Sequence, residues 1–343
     1  MKVDSIQLSP RPTVTVGMSH PEPIPVESGQ SLFSLIPKNS WKGHRCFIIG
    51  GGPSVLTHNL DRLAGELTIG VNRAYDIYYP SILCALDPQF YSWAEDGTFG
   101  IFSQQKYLSY PGTKAWVQVR KDTKNKASGI YSIPFINWKG NNSGQAAIEL
   151  AIELGASPIY LIGFDLKGTP TNFHDGYPVG ASMNVYEGFI DSIEKQIPDK
   201  AKEHGVEVIN LSPDSELQTF PFANYDQVLD VKPVRPVIIS YFEDGDEFEA
   251  SELVRSAMLY GLECDVVHIR NTGYDMKQFI KSMLDKHRRP VIYVDYDIKI
   301  GKYPEPFDDC KENIIDFYEL LDINALFVNY TETAIKQLED MEI

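Results

Sequence analysis

The run Arg45-Cys46-Phe47-Ile48-Ile49-Gly50, followed at once by Gly51-Gly52-Pro53-Ser54, constrains this chain more than any other feature. A short, nearly continuous apolar segment ended by glycine reads as a strand buried on both faces. The segment after it, PSVLTHNLDRL, carries Pro where a first helical turn accepts it, so strand, tight turn and helix follow one another. The unit repeats in looser form. LTIGVN, SILCALD and KAWVQV predict strands, SGQAAIELAIELGA a helix, PIYLIGFDL a strand, the stretch near MNVYEGFIDSIEKQI a helix, and VEVINLS a strand. Short apolar strands alternating with amphipathic helices imply a parallel, doubly wound α/β sheet, here over residues 41–222.

A second start lies at Arg235. PVIISYF, CDVVHIR and RPVIYVDYD predict strands, and EASELVRSAMLYGL and KQFIKSMLDKH predict helices, so residues 235–343 form a smaller α/β domain. The stretch NYDQVLDVKPVRP has two prolines and no evident helical period, which places a linker at 223–234. Residues 8–37 hold six prolines, which marks 1–40 as an extended leader lying on the first domain. A length of 343 residues suits two domains of about 150 each.

Lys+Arg 31 against Asp+Glu 47 gives a net charge of −16, which disfavours stable binding to bulk nucleic acid. The four cysteines show no CxxC spacing and read as reduced core thiols of a cytoplasmic protein. The N-terminus lacks the signature of an export signal, and no apolar run nears the roughly 18 residues of a membrane span.

Four constellations bear on chemistry. Gly50, Gly51 and Gly52 with Ser54 can bring backbone N–H groups close to an anion, or can form a turn that only packs. They match neither the G-x-G-x-x-G nor the P-loop pattern, since Val55 and Leu56 stand where those need Gly or Gly-Lys. Asn142, Ser143 and Gly144 open the helix whose apolar residues are Ala147, Leu150, Ala151 and Leu154; they either cap it or present it to a ligand. Asn72, Asp87 and Asp165 each stand just beyond an apolar run, at the carboxyl rim where open α/β sheets bind ligands. His174, next to Asp175 in the loop Phe173-His174-Asp175-Gly176-Tyr177, is placed to take a proton from a hydroxyl, or is a solvated loop residue. Asp295 and Asp297, at the exit of RPVIYVDYD, alternate along a strand and can hold a divalent cation between nucleotide phosphates, or serve as turn acids.

The ordered motifs GGGPS, Asn72, Asp87-Pro88, NNSGQAAIELAIELGASPIYLIGFDL, FHDGY and INLSPDSEL resemble the family joining 6-hydroxymethylpterin diphosphokinase-like proteins and flagellin-modifying motility accessory factors. More distantly they resemble the bacterial lipooligosaccharide sialyltransferases. The resemblance covers residues 43–222 and implies a Rossmann-like domain in which Gly50, Gly52, Ser54, Asn72, Ser143, Gly144 and Asp165 contact nucleotide and His174 is the general base. Residues 235–343 resemble a shortened GT-A-type transferase with Asp295 and Asp297 at its D-x-D. Together these imply a glycosyltransferase that moves a sugar from a nucleotide-activated donor to a hydroxyl acceptor, with Mg²⁺ or Mn²⁺ at the D-x-D. The alternatives are a Mg-dependent diphosphokinase, in which Asp87 or Asp165 holds the metal, and a non-catalytic nucleotide- or glycan-binding module. Sugar, acceptor and oligomeric state are left open.

Overall fold

The computed structural model describes residues 31–34, 36–78, 80–87, 90, 116–118, 130–132, 140–168, 172–174, 177, 185–230, 236–243, 245–269, 275–297, 300, 314–316, 325–328 and 331–341. The described residues divide into two compact units, one up to Asp230 and the other from Pro236 on.

In the first unit, strands β1 (Cys46–Ile49), β2 (Leu67–Val71), β3 (Ile82–Ala85), β4 (Trp116–Gln118), β5 (Ile130–Ser132), β6 (Ile159–Ile162) and β7 (Val208–Asn210) form one sheet in the order β5-β4-β3-β2-β1-β6-β7. Every pairing in it is parallel. The chain winds outward from β1 to β5, then returns to lay β6 on the other side of β1. The order therefore reverses between β1 and β6, and the crevice beyond their carboxyl ends is where such sheets take ligands. Full burial of Cys46, Phe47, Ile48 and Ile49 explains why that run has no polar alternation.

Helices α1 (Ser143–Glu153) and α2 (Val185–His204) pack on one another. The contact is polar as well as apolar: Ser192 Oγ donates to Gln145 Oε1 at 2.7 Å, and Lys200 Nζ reaches Glu149 at 3.0 Å and Glu153 at 3.1 Å. Burial opposes the charge of Glu153, but Lys38 and Lys200 outweigh it and hold its carboxyl below the usual range. Leu32 and Ile36, from the end of the Pro-rich leader, and Trp41 just after it are fully buried.

Two local expectations are corrected. The helix expected after the glycine turn is two 3₁₀ segments, Pro53–Thr57 and Leu60–Leu63. Asn59 divides them, because its Oδ1 accepts from the Asp61 N–H at 3.1 Å and starts a new cap instead of continuing the first helix. The stretch expected to be non-helical carries α3 (Tyr225–Asp230), whose Tyr225 and Leu229, four apart, are buried in the first unit's core.

In the second unit, strands β8 (Val237–Phe242), β9 (Cys264–His268), β10 (Val291–Val294), β11 (Ile314–Asp316) and β12 (Ala325–Val328) are ordered β11-β12-β10-β8-β9. β8 is parallel to β9 and β10, whereas β12 runs antiparallel to both β10 and β11. Helices α4 (Glu247–Leu259), α5 (Met276–His287) and α6 (Glu332–Asp340) complete it. Val237, Ile239, Phe279, Met283, Val291, Tyr293 and Leu338 pack into one core. The chain is thus a doubly wound parallel sheet followed by a smaller, mixed α/β unit.

Candidate functional site

A cavity of ≈ 380 Å³ opens at the reversal of strand order in the first unit. It is lined by Gly50, Gly51 and Gly52 after β1, Asn72 and Arg73 after β2, Asp87 after β3, Asn142, Ser143 and Gly144 at the start of α1, and His174. Nine of the expected nucleotide-contacting and catalytic residues therefore line one cavity. Ser54 and Asp165 stand behind it: Asp165 Oδ2 accepts from Ser54 Oγ at 3.0 Å and from the Ser54 N–H at 3.3 Å, so each fixes the turn through the other. Asp175 lies outside the described residues.

The glycines are required by close packing. Gly50 N–H donates to Ile162 O at 2.7 Å and Gly52 N–H to Gly163 O at 2.8 Å, which extends the β1–β6 pairing into the turn. A Cβ at Gly50 would meet Gly163 O at 2.6 Å, and one at Gly52 would meet Asp165 Oδ2 at 1.8 Å. With Pro53 carrying no N–H, the Gly51 N–H is left without a partner among the described residues, while its carbonyl accepts from Phe173 N–H at 2.8 Å.

Asn142 caps α1. Its Oδ1 accepts from the Gln145 N–H at 2.8 Å and its amide donates to Asn141 Oδ1 at 3.0 Å. Ser143 Oγ accepts from the Leu86 N–H at 2.9 Å, tying the helix start to the end of β3. Gly144 allows the Phe164 ring close, since a Cβ there would lie 2.9 Å from Cε1. The N–H groups of Ser143 and Gly144 have no partner among the described residues and carry the positive end of the helix dipole.

The rest of the lining is polar and aromatic. Asn72 adopts a left-handed φ of 51°, a strained conformation for a residue with a side chain, and its Oδ1 is buried without a partner among the described residues. Arg73 Nε donates to Asp76 Oδ2 at 2.6 Å. Burial raises the Asp76 pKa against the pull of Arg73. Tyr177 shares a hydrogen bond with Asn72, and burial, opposed by Arg73 and that bond, pushes its pKa up to about 12. His174 meets the rings of Phe173 and Tyr177 edge-on, with centroids 4.7 and 4.6 Å away. From α2, Tyr186, Phe189 and Ile193 complete the lining.

Sequence reasoning missed Arg73, Tyr186 and Phe189. Arg73 directly follows the strand-end Asn72, which is a usable signal. Tyr186, Phe189 and Ile193 recur at i, i+3 and i+7, the spacing of an ordinary core stripe, and nothing in that period says that a cavity faces it.

In the second unit, Asp295 and Asp297 lie just past β10, beside another reversal of strand order between β8 and β10. Tyr293 Oη donates to Asp295 Oδ1 at 3.0 Å. Among the described residues, no three His, Cys, Asp or Glu side chains converge as a metal site.

No family model matches the chain, and no curated protein does. Among solved structures, the sialyltransferase CstII from Campylobacter jejuni, in complex with a substrate analogue, CMP-3FNeuAc, is similar at 16% identity over 52% of this chain and 85% of that one, with a TM-score of 0.37. A point mutant of the alpha-2,3/8-sialyltransferase CstII is similar over the same shares at 16% identity, with a TM-score of 0.34. No helix among the described residues is long and apolar enough to cross a membrane.

Proposed function

We propose that this chain is a glycosyltransferase that moves a sugar from a nucleotide-activated donor to a hydroxyl acceptor. The observation that carries the reading is one cavity, at the strand-order reversal, whose wall combines unclaimed N–H groups of Gly51, Ser143 and Gly144 with His174. The N–H groups suit a phosphate, and they are worth most as negative charge grows on the leaving phosphate when the sugar bond breaks. His174 takes the proton of the acceptor hydroxyl as that oxygen attacks. Asn72 and Asp87 orient the donor through hydrogen bonds, and Asp165 keeps the turn in shape through Ser54. In the second unit, Asp295 and Asp297 would hold Mg²⁺ or Mn²⁺, and the ion would supply positive charge there.

The test is calorimetry against a panel of CMP-, UDP- and GDP-sugars, followed by turnover with hydroxyl acceptors and product mass spectrometry. A glycosyl mass increment on an acceptor is expected. AMP release from ATP with diphosphate transfer to an alcohol would replace the reading by a kinase, and tight binding without turnover by a binding module.

A further inference from the structure

The two ends of α2 differ in how they are held. Toward its C-terminus Ile193, Ile197 and Ala201 are buried, and Ser192 and Lys200 bond to α1. Its first two turns carry two large aromatic residues, Tyr186 and Phe189, that stay only half-buried and line the cavity. Between them Gly188 O accepts from Asn141 Nδ2 at 3.0 Å, and Asn141 Oδ1 in turn accepts from the Asn142 amide. The ring pair is therefore held beside the α1 N-terminus by Asn141, which bonds both the α2 backbone between the rings and the capping Asn142. The ring centroids are 6.3 Å apart and the planes tilt by 48°. That is too close and too tilted for a parallel slot, so the two rings contribute one aromatic patch to the cavity lining.

Large aromatic surface lining an open cavity is covered to advantage by a flat π-system, and every nucleobase has one. We infer that Tyr186 and Phe189 form the nucleobase platform of this site, with the phosphate on the N–H groups of Ser143 and Gly144 and the base one ribose away on the rings. The inference rests on the nucleotide-donor reading and deepens it. Stacking holds any base by its face, so the platform supplies affinity and leaves the choice among bases to polar groups elsewhere on the wall.

The experiment is calorimetric titration of the full chain with CMP, UMP and AMP. The double variant Tyr186→Leu/Phe189→Leu keeps apolar volume but removes the π faces. It should lose roughly tenfold to a hundredfold in affinity for all three. Tyr186→Phe and Phe189→Trp, which each keep a π face, should retain most of the affinity that the leucine pair loses, and the added indole emission of Phe189→Trp should be quenched as CMP binds. The Trp variant decides the matter even where the leucine pair fails to fold. Leucine variants that bind the nucleotides normally, or an indole that CMP leaves unquenched while it binds, would overturn the platform alone. A wild type that binds none of the three removes both the platform and the donor reading. Leucine-sensitive binding without any sugar transfer keeps the platform and removes the donor reading.

Discussion

Alanine at Gly52 would place a methyl carbon 1.8 Å from Asp165 Oδ2 and 2.7 Å from Gly163 O. The backbone there, at φ −71° and ψ 149°, suits any residue, so the cost comes from crowding and not from dihedral strain. To admit the methyl, Asp165 must swing away and give up its bonds from Ser54 Oγ at 3.0 Å and Ser54 N–H at 3.3 Å. Two hydrogen bonds to a charged acceptor at about 1.5 kcal/mol each, with about 1 kcal/mol for retreat of the β6 end, give a destabilisation of roughly 4 kcal/mol. At Gly51 the same methyl meets, among the described residues, only Asn172 Oδ1, at 3.1 Å, on an exposed side chain that can give way. Gly51→Ala should cost about 1 kcal/mol or less. The assay is urea unfolding followed by tryptophan emission: Trp41, Trp93, Trp116 and Trp138 all precede Val231, so the signal follows the first unit. Gly52→Ala should shift that midpoint strongly, and adding Asp165→Ala should cost less than the two changes summed. Gly51→Ala should keep the midpoint and lose nucleotide affinity. A Gly52→Ala protein within about 1 kcal/mol of wild type would refute the crowding argument.

His174→Ala should lower turnover by roughly 10²- to 10⁴-fold with donor affinity unchanged, and should abolish the rising limb of the pH–rate profile; steady-state kinetics beside calorimetry checks both. In the second unit, burial opposes the charge of Asp265, but hydrogen bonds from His287 and Lys286 outweigh it and lower its pKa. A lowered folded-state pKa gives stability that is complete above the unfolded value of about 3.9 and lost as pH falls through the folded one. Asp265→Asn should therefore destabilise this unit at neutral pH by about 2–3 kcal/mol, allowing for the half-exposed Lys286, and should flatten its loss of stability in acid, read by circular dichroism. Asp297→Asn should weaken Mn²⁺ binding in the presence of UDP; a wild type that binds no cation by calorimetry would make Asp295 and Asp297 turn residues.

The strands were legible because burial on both faces leaves an unbroken apolar run, as in Cys46–Ile49 and Val291–Val294. The breaks were less so. Asn59 looks like any polar residue on a helix surface until its side chain is seen to cap a new turn, and α3 is short enough that Tyr225 and Leu229 show no period of their own. Polar residues at strand ends also look alike in sequence. Asn72, Asp87 and Asp165 follow apolar runs in the same way, yet the first two line the cavity while the third turns to Ser54. Which way each turns depends on the neighbouring strand.

Neighbouring strands also settle what the glycine turn contributes. Because β6 and not a helix lies beside β1, the N–H groups of Gly50 and Gly52 are used in strand pairing that continues past Ile49, and Asp165 takes that of Ser54. Among the described residues one N–H, that of Gly51, remains without a partner from a turn whose sequence suggests several. The start of α1 keeps two, on Ser143 and Gly144, and adds the helix dipole. A phosphate in this cavity is therefore held chiefly by α1, and the glycines serve first to let β1 and β6 approach closely enough to bring Gly51 to it. Ser143→Pro, which deletes one helix N–H at a position where proline fits the backbone and also gives up the Oγ bond from the Leu86 N–H, should then cost more phosphate affinity than Gly51→Ala, as phosphate titration of both variants, each shown to be folded by circular dichroism, would read.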